Sequence, residues 1–482
     1  MTDPAFSDVL EKRYFQFFRQ RTVASTNALM DSRFWDRIVL QVCHIEPAVK
    51  HAVLALSALH QIQEARHDLQ LALQQQTFAD RYYQKALVSA RDLLSSSSAD
   101  DIDRILIACI IFICFESIKG NYHAVQVHTG AGRAILRQHE SRLRRRSRRN
   151  DLREIQQMFG RLDIAAIAFS DASAPYPYRT DTFLGTDPNP SPDAFNSMDD
   201  ARASLVDHVR WGMILGSHIF DAAAAGDQRE LAKFEDERLK LLERLSLWHA
   251  RFEEIASMTA STSTLLATTL LLWWQTLKLQ LTANFHGPET RYDAYEEGFA
   301  CIVSYGEDIV AQLKKGSSGG TFGFDMGIVI PHFLVVQRCR DPVIRKRALA
   351  VMRTGSRQEG AWEGAGAAEV IERWMLTEEA GLPSVETAAD IPEWKRLHHI
   401  DSAVDTERGV AQVAFGVATT VDGKQRPPTI QVQEKIAFES LRMAQQQQQR
   451  KNTQGLRPFS MSLDNAIEHR VTLHDNREVY GQ

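Results

Sequence analysis

Residues 32–60 read SRFWDRIVLQVCHIEPAVKHAVLALSALH, and this stretch decides the fold class. It predicts two helices meeting at Glu46-Pro47. Proline suits a first helical position, and a carboxylate just ahead of it suits the positive end of the helix dipole. In the second helix Val49, Ala52, Val53, Leu56 and Leu59 recur at the helical period. The run AVLALSAL within it is apolar nearly all round, which predicts burial on most sides. In the first helix Phe34, Trp35, Ile38, Val39 and Val42 supply bulk to pack against it. The pair is scaffold rather than chemistry, with Trp35, Val49, Val53 and Leu56 as core residues.

Working outward, residues 8–22 predict a short aromatic-rich helix that offers Tyr14, Phe15, Phe17 and Phe18 to the core. A long helix follows over 69–94, with Leu73, Phe78, Tyr82, Ala86, Leu87 and Leu94 as its stripe. SSSSADD interrupts and caps the next helix. That helix, 101–118, carries Ile102, Ile105, Leu106, Cys109, Ile110 and Ile113, of which Ile105 and Cys109 join the core list. Gly120 stops it, and Asn121 caps a helix reaching Leu136. Gly130 and Gly132 inside that helix imply close helix packing, since each costs about 1 kcal/mol relative to alanine. Further helices are predicted over 151–170, 201–225, 228–257, 263–285, 289–315, 328–340, 342–352 and 366–380. The expected architecture is all-α: stacked helical hairpins with a mixed or disordered C-terminal tail. The expected divisions are a helical part over 8–139, an arginine-rich linker over 140–150, a second helical part over 151–382, and a peripheral tail over 383–482. Within that tail, weak alternation around Asp422-Gly423 suggests a hairpin.

Composition excludes several classes. The 482 residues are 44% hydrophobic and 24% charged, which are globular values. A net charge of −5 gives no overall attraction to nucleic acid. The five cysteines, Cys43, Cys109, Cys114, Cys301 and Cys339, are odd in number and scattered in apolar segments. That fits buried thiols in a reducing compartment rather than a disulfide framework. The longest apolar runs, 105–115 and 265–274, fall short of the roughly 18–20 residues that span a bilayer, so no membrane segment is expected. HExxH, GxSxG, the P-loop and the strand–glycine–helix dinucleotide unit are all absent from the sequence. No enzyme, cofactor or metal is therefore expected. Trp273-Trp274 reads as core, Glu378-Glu379 as a solvated helix face and His398-His399 as a solvated pair.

One segment has a sharper reading. RQHESRLRRRSRRNDLR, residues 137–153, holds eight arginines. Arg142, Arg144, Arg145, Arg146, Arg148 and Arg149 would present dense positive charge. Such a block fits an importin groove, makes nonspecific phosphate contacts, or simply solvates a linker. Alone it does not read sequence, because base readout needs side chains held rigidly at base edges.

Five segments together carry a family resemblance: EKRYFQFFRQRT (11–22), FWDRIVLQVCHIEPAVKHAVLALSALH (34–60), LIACIIFICFESIKGNYHAVQVHTGAGRAIL (106–136), FGRLDIAAIAFSDASAPYP (159–177) and EGAWEGAGAAEVIERWMLTEE (359–379). In their order and spacing the chain resembles the regulatory domain of fungal zinc-cluster transcription factors, of the second fungal transcription factor domain type. The resemblance implies a nuclear transcriptional regulator of metabolic genes, including secondary-metabolite clusters. It also implies pairing with itself or a full-length zinc-cluster relative, and a small-molecule effector. The departure is the head. The family's cluster needs six cysteines in CxxC-type groups around two tetrahedral zinc ions, and none of the five cysteines here forms a CxxC pair. The expectation is a headless regulator or a truncated gene, touching DNA only through a partner unless an upstream exon is missing. Two other readings stay open: a helical protein that sequesters an activator, and an all-helical enzyme.

Overall fold

The computed structural model describes residues 6, 8–30, 32–64, 69–96, 101–143, 149–169, 194–258, 264–315, 322–355, 357–360, 362–405, 410–421 and 424–437. The described chain is predominantly helical, built from helical hairpins laid side by side. Helix α1 (Val9–Phe17) is capped by Asp8, whose carboxylate accepts from Leu10 N at 3.1 Å. It widens into a π-helical turn at Phe18–Thr22 before α2 (Val23–Thr26). A second π-helical turn, Phe34–Val39, leads into α3 (Leu40–Val42). The predicted junction at Glu46-Pro47 is present: α4 spans Pro47–Glu64, and Glu46 Oε1 accepts from Ala48 N at 3.2 Å. Helix α5 (Leu69–Ser96) runs antiparallel to α4, with Gln75 bonded to Gln61 and Ser89 to His51.

Helices α6 (Ile102–Lys119) and α7 (Tyr122–Leu143) form the next hairpin. Gly120 closes α6 at φ 70°, a conformation that glycine adopts without a side-chain clash. Asn121 Oδ1 caps α7 through Ala124 N at 3.3 Å. Gly132 lies where a Cβ would overlap the Phe159 ring and sit 3.2 Å from Cys109 Sγ, which is the close packing expected of it. Gly130 faces open space, so packing does not account for that glycine. Helix α8 (Arg149–Ala168) follows. Then come the hairpins α9 (Met198–Ala225) with α10 (Gln228–Met258), and α11 (Thr264–Ala283) with α12 (Glu296–Lys315). The chain reaches α12 through a 3-10 turn at Glu289–Tyr295, where a continuous helix was expected.

Beyond α12 lie strand β1 (Phe322–Gly323), helices α13 (Val329–Arg338) and α14 (Pro342–Gly355), strands β2 (Gln358–Glu359) and β3 (Trp362–Glu363), and helix α15 (Gly364–Glu379). Strand β1 pairs parallel with β2, and β2 antiparallel with β3. The C-terminal segment forms an antiparallel sheet of β4 (His399–Asp405), β5 (Val410–Val421) and β6 (Lys424–Ala437). The terminal pair of the β5–β6 ladder, Val421 with Lys424, brackets the anticipated hairpin, whose turn at 422–423 lies outside the described residues.

Two apolar cores result. The first holds the side chains of α1–α7 and most of α8, through Leu162. The second runs from Ile164 to Phe415 and also takes in Leu29 and Met30. Helix α8 thus serves both. The scaffold residues Trp35, Val49, Val53, Leu56, Ile105 and Cys109 are all buried in the first part. Two stripe positions differ from expectation: Leu94 is exposed, and so is Leu239, which belongs to the stripe Leu231, Phe234, Leu239, Leu242, Leu245 and Trp248 expected of the 228–257 helix. The buried stripe of α10 is Leu241, Leu245, Trp248, Phe252 and Ile255, spaced four, three, four, three. Leu239 stands two residues before Leu241 and so points to the opposite side. The tandem tryptophans are core, as read: Trp273 Nε1 donates to Gly327 O at 2.9 Å, and Trp274 Nε1 to Leu245 O at 3.2 Å. In the segment expected to be peripheral, Ile391, Leu397, Val413 and Phe415 are buried, and Phe415 packs edge-on to Trp374.

Three buried histidines set an acid limit on stability. Burial lowers His60 to about 3, with Arg21 adding to it, and lowers His128 and His332 to about 4. They stay neutral in the fold while the unfolded chain protonates them near 6.5. The unfolded state therefore binds more protons, and stability falls as pH drops below about 6.5, by at most about 1.4 kcal/mol per histidine per pH unit. Urea unfolding between pH 7.5 and 5 should show a falling midpoint, and the triple variant His60→Gln, His128→Gln, His332→Gln should lose most of that slope. A flat wild-type profile would contradict the burial.

Candidate regulatory site

The arginine block straddles the α7–α8 connection. Arg142 is in the last turn of α7 and Arg149 is the first residue of α8. Arg144, Arg145, Arg146 and Arg148 lie outside the described residues. The helices on either side therefore extend further into the predicted linker than periodicity indicated.

Besides the buried Asp163 with Arg133 and Arg210, the described interior contains two larger charge clusters that sequence reading did not assign. The first lies where the cores meet. The strap Phe322–Val329 places Phe322 and Phe324 in the first core, and Met326, Ile328 and Val329 in the second. Ser25 Oγ donates to Phe322 O at 2.8 Å. Phe322 meets the His60 ring edge-on at 4.4 Å, and Phe324 lies 6.1 Å from Trp35. Asp325 is buried 2.9 Å from Arg161 Nη1 of α8. Arg161 Nη2 donates to Ser32 Oγ at 3.1 Å, and Glu154 and Arg202 stand nearby. The pair is close but misaligned: both Asp325 oxygens and Arg161 Nε and Nη1 lack a hydrogen-bond partner among the described residues. Burial pushes the Asp325 carboxyl up despite Arg161, Arg202 and Arg357, and pulls the Arg161 guanidinium down despite Asp325. At the strap's other end Glu359 caps α13, accepting from Ile328 N at 2.8 Å and Val329 N at 2.9 Å. A Cβ on Gly327 would overlap that carboxylate, so any larger residue there would have to displace the cap.

The second cluster is well paired. Glu289 accepts from Arg338 Nη1 and from Arg340 Nη1, each at 2.8 Å. Glu378, fully buried, accepts from Arg340 Nη2 at 2.7 Å, from Arg345, and from Leu397 N at 2.8 Å. This corrects the expectation of a solvated face for Glu378: its partners come from the α13–α14 turn (Arg340), the first turn of α14 (Arg345) and the segment after α15 (Leu397), which helix periodicity does not reveal. Glu379 remains partly exposed, 3.8 Å from Arg345. Burial opposes ionisation of Glu289, but Arg338, Arg340 and Arg291 outweigh it and hold the carboxyl at about 2. Arg340 and Arg345 likewise outweigh burial at Glu378 and lower it. Arg345 itself is lowered by burial despite Glu378, because Arg340 shares that carboxylate. The segment after α15 closes over this cluster. Glu393 accepts from Glu289 N and Thr290 N at 2.8 Å, and Arg396 pairs with Asp293 at 2.6 Å. His398 is partly buried beside Glu393 at 3.4 Å, ahead of strand β4 rather than on a helix. No described group of three or more His, Cys, Asp or Glu could hold a metal ion. Cys109 and Cys114 are buried, and Cys109 is pushed up to about 12. No described helix is long and apolar enough to cross a membrane.

The model of the fungal specific transcription factor domain matches residues 13–290. The chain belongs to this family. The match covers more than half of the chain and includes three of the five segments quoted above and all but two residues of a fourth. Among curated proteins the domain is similar to the aspercryptin biosynthesis cluster-specific transcription regulator atnN of Emericella nidulans, with 28% identity over 141 residues, 27% of this chain and 21% of that one. It is also similar to the transcription regulator lscL of Purpureocillium lilacinum, with 28% identity over 145 residues, 29% of this chain and 33% of that one. The aligned stretches thus span a third or less of either relative. No solved structure matches the chain.

Arg161 and Asp325 were missed because each, read singly, is one charge in an apolar stretch. The available signal was an arginine set into FGRLDIAAIAF, at a position where the surrounding pattern calls for core.

Proposed function

We propose that this domain is the regulatory body of a fungal transcription regulator acting on metabolic genes of the secondary-metabolite cluster type. The observation that carries the reading is the family match over 13–290 together with two similar regulators, one named for such a cluster. In this reading the helical parts 8–139 and 151–382 are joined by the basic segment 140–150. The arginines Arg142, Arg144, Arg145, Arg146, Arg148 and Arg149 direct the protein to the nucleus, and the tail from 383 is an accessory. The 482 residues contain no six-cysteine cluster, and four of the five cysteines are buried. In this reading DNA is reached through a homo- or heterodimeric zinc-cluster partner unless an upstream exon supplies the cluster, and an effector sets the state. That same cysteine count supports a second reading, a helical protein that holds an activator away from promoters.

Chromatin immunoprecipitation of the native protein under inducing conditions separates the two. The first reading expects enrichment at promoters of a metabolic gene cluster. Nuclear protein without promoter enrichment favours the second. Replacing the six arginines by glutamine is expected to reduce nuclear accumulation at least severalfold, as seen by fluorescence imaging. Unchanged accumulation would remove the role given to these arginines.

A further inference from the structure

We propose that the end of the first core at which α4 begins docks an acidic amphipathic helix of a partner protein. The proposal concerns binding in solution and rests on neither the nuclear nor the promoter reading.

Side-chain bonds fix which helix ends meet there. Helix α1 runs parallel to α4: Glu11 lies 2.9 Å from Lys50 near both starts, and Arg21, in the turn that follows α1, lies 2.9 Å from Glu64 at the end of α4. Helix α6 is parallel as well, since Arg104 in its first turn reaches Glu46 at 3.7 Å. Ser89 bonded to His51 brings the last turns of antiparallel α5 to the same place. Among the described residues of α1–α8, the exposed large apolar side chains are Val9, Leu10, Ile45, Val88 and Leu94, between 46% and 79% exposed. All five belong to this end. Two are in the first turn of α1, one is in the turn before α4, and two are in the last three turns of α5. Apolar side chains gathered in this way, rather than scattered singly, mark an interaction surface.

Charge decides the occupant. Helix α7 is antiparallel to α6, with Cys109 Sγ donating to His128 O at 3.0 Å, so α7 ends where α6 starts. Helix α8 begins there in turn, with Phe159 packed over Gly132. The described cations beside the apolar residues are paired: Lys50 with Glu11, Arg91 with Asp92, and Arg104 with Asp101. Residues 137–149, from the last turns of α7 to the first residue of α8, hold seven arginines against one carboxylate, Glu140. An apolar surface thus adjoins a cationic excess. A second copy of the chain docked about a twofold axis would set one arginine run against the other. Nucleic-acid phosphates would answer the arginines and leave five aliphatic groups without use. A membrane surface is gripped by tryptophan and other aromatic anchors, and none of the five is aromatic. An acidic amphipathic helix answers both halves, with aliphatic anchors at helical spacing for the apolar residues and carboxylates for the arginines.

The probe is a fluorescein-labelled peptide of about 18 residues, some five helical turns, with leucine along one face and glutamate along the other. Its binding to the full chain is followed by fluorescence anisotropy, against a scrambled peptide of the same composition that has no apolar face. The amphipathic peptide should bind about tenfold more tightly than the scrambled one, and more weakly as salt is raised. The variant Val9→Ser, Ile45→Ser alters only exposed positions, so it should unfold at the wild-type midpoint and bind the peptide about fivefold more weakly. Replacing Arg142, Arg144, Arg145, Arg146, Arg148 and Arg149 by glutamine should weaken binding about tenfold and remove most of the salt dependence. Equal binding of the two peptides, or wild-type binding by either variant, overturns the proposal. So does retention on phosphatidylserine vesicles that outlasts competition by the peptide, which would assign this end to a membrane. Dimerisation in sedimentation that Val9→Ser, Ile45→Ser abolishes would overturn it in favour of a second copy.

Discussion

Leu56→Asp is expected to lose about 4 kcal/mol or more of stability, enough to leave much of the protein aggregated on expression at 37 °C. Leu56 is fully buried within α4, where eleven of the thirteen positions from Ala48 to His60 are buried, and its neighbours Leu54, Ala55, Ser57 and Ala58 are equally inaccessible. Truncating a buried leucine alone costs about 2–5 kcal/mol through lost transfer energy and a residual cavity. The aspartate adds an unpaired carboxylate in an apolar interior, which either ionises at high cost or takes up a proton. Leu56→Asn separates the two contributions, since it removes the charge and retains the polarity. Chemical denaturation of both variants, made at reduced temperature, should place Leu56→Asp below Leu56→Asn at pH 7.5. A soluble Leu56→Asp protein of wild-type stability would mean that α4 presents this face to solvent or to a partner.

That prediction stands on features visible in the sequence, and the reason is local. A helix such as α4 announces itself by spacing, its start by Glu46-Pro47, and the end of α6 by Gly120. These signals depend on residues within a few positions of one another. The hairpin arrangement followed because consecutive apolar helices with short connections pack antiparallel. What escaped was every feature made by residues far apart. Asp325 finds Arg161, Glu289 finds Arg338 and Arg340, and Glu378 finds Arg345 only after folding. Glu378-Glu379 at the end of an amphipathic helix has the pattern of a wet face, and only Arg340 of the α13–α14 turn and Arg345 of α14 make Glu378 a core residue. Leu239 failed in the opposite sense. It is apolar and lies near the stripe, but two positions along a helix is slightly more than half a turn.

Arg340→Met is expected to cost about 3–5 kcal/mol, comparable to breaking a buried pair by removing one partner. Arg340 is buried and bridges two carboxylates, Glu289 Oε2 at 2.8 Å and Glu378 Oε1 at 2.7 Å, and it also holds Leu397 O at 3.2 Å. Methionine fills much of the volume and returns none of those bonds. Both carboxylates retain other arginines, so the loss is of one shared cation rather than of all pairing, and the variant should fold. The pH dependence gives the mechanism away. Glu289 is held at about 2, against 4.5 in the unfolded chain, because Arg338, Arg340 and Arg291 overcome its burial. A carboxyl with a lowered folded value contributes stability that is complete above about 4.5 and disappears as pH falls toward about 2. Removing Arg340 raises that folded value, so the deficit of the variant relative to wild type should be largest above pH 5 and shrink through the window from 4.5 downward. Parallel urea titrations at pH 7, 5 and 3.5 test this, with Arg340→Lys as a partner that keeps the charge and loses the fork. A deficit independent of pH would assign the role of Arg340 to packing, and the cluster would then not be the electrostatic clasp that joins the 289–295 turn, α15 and the segment around Leu397.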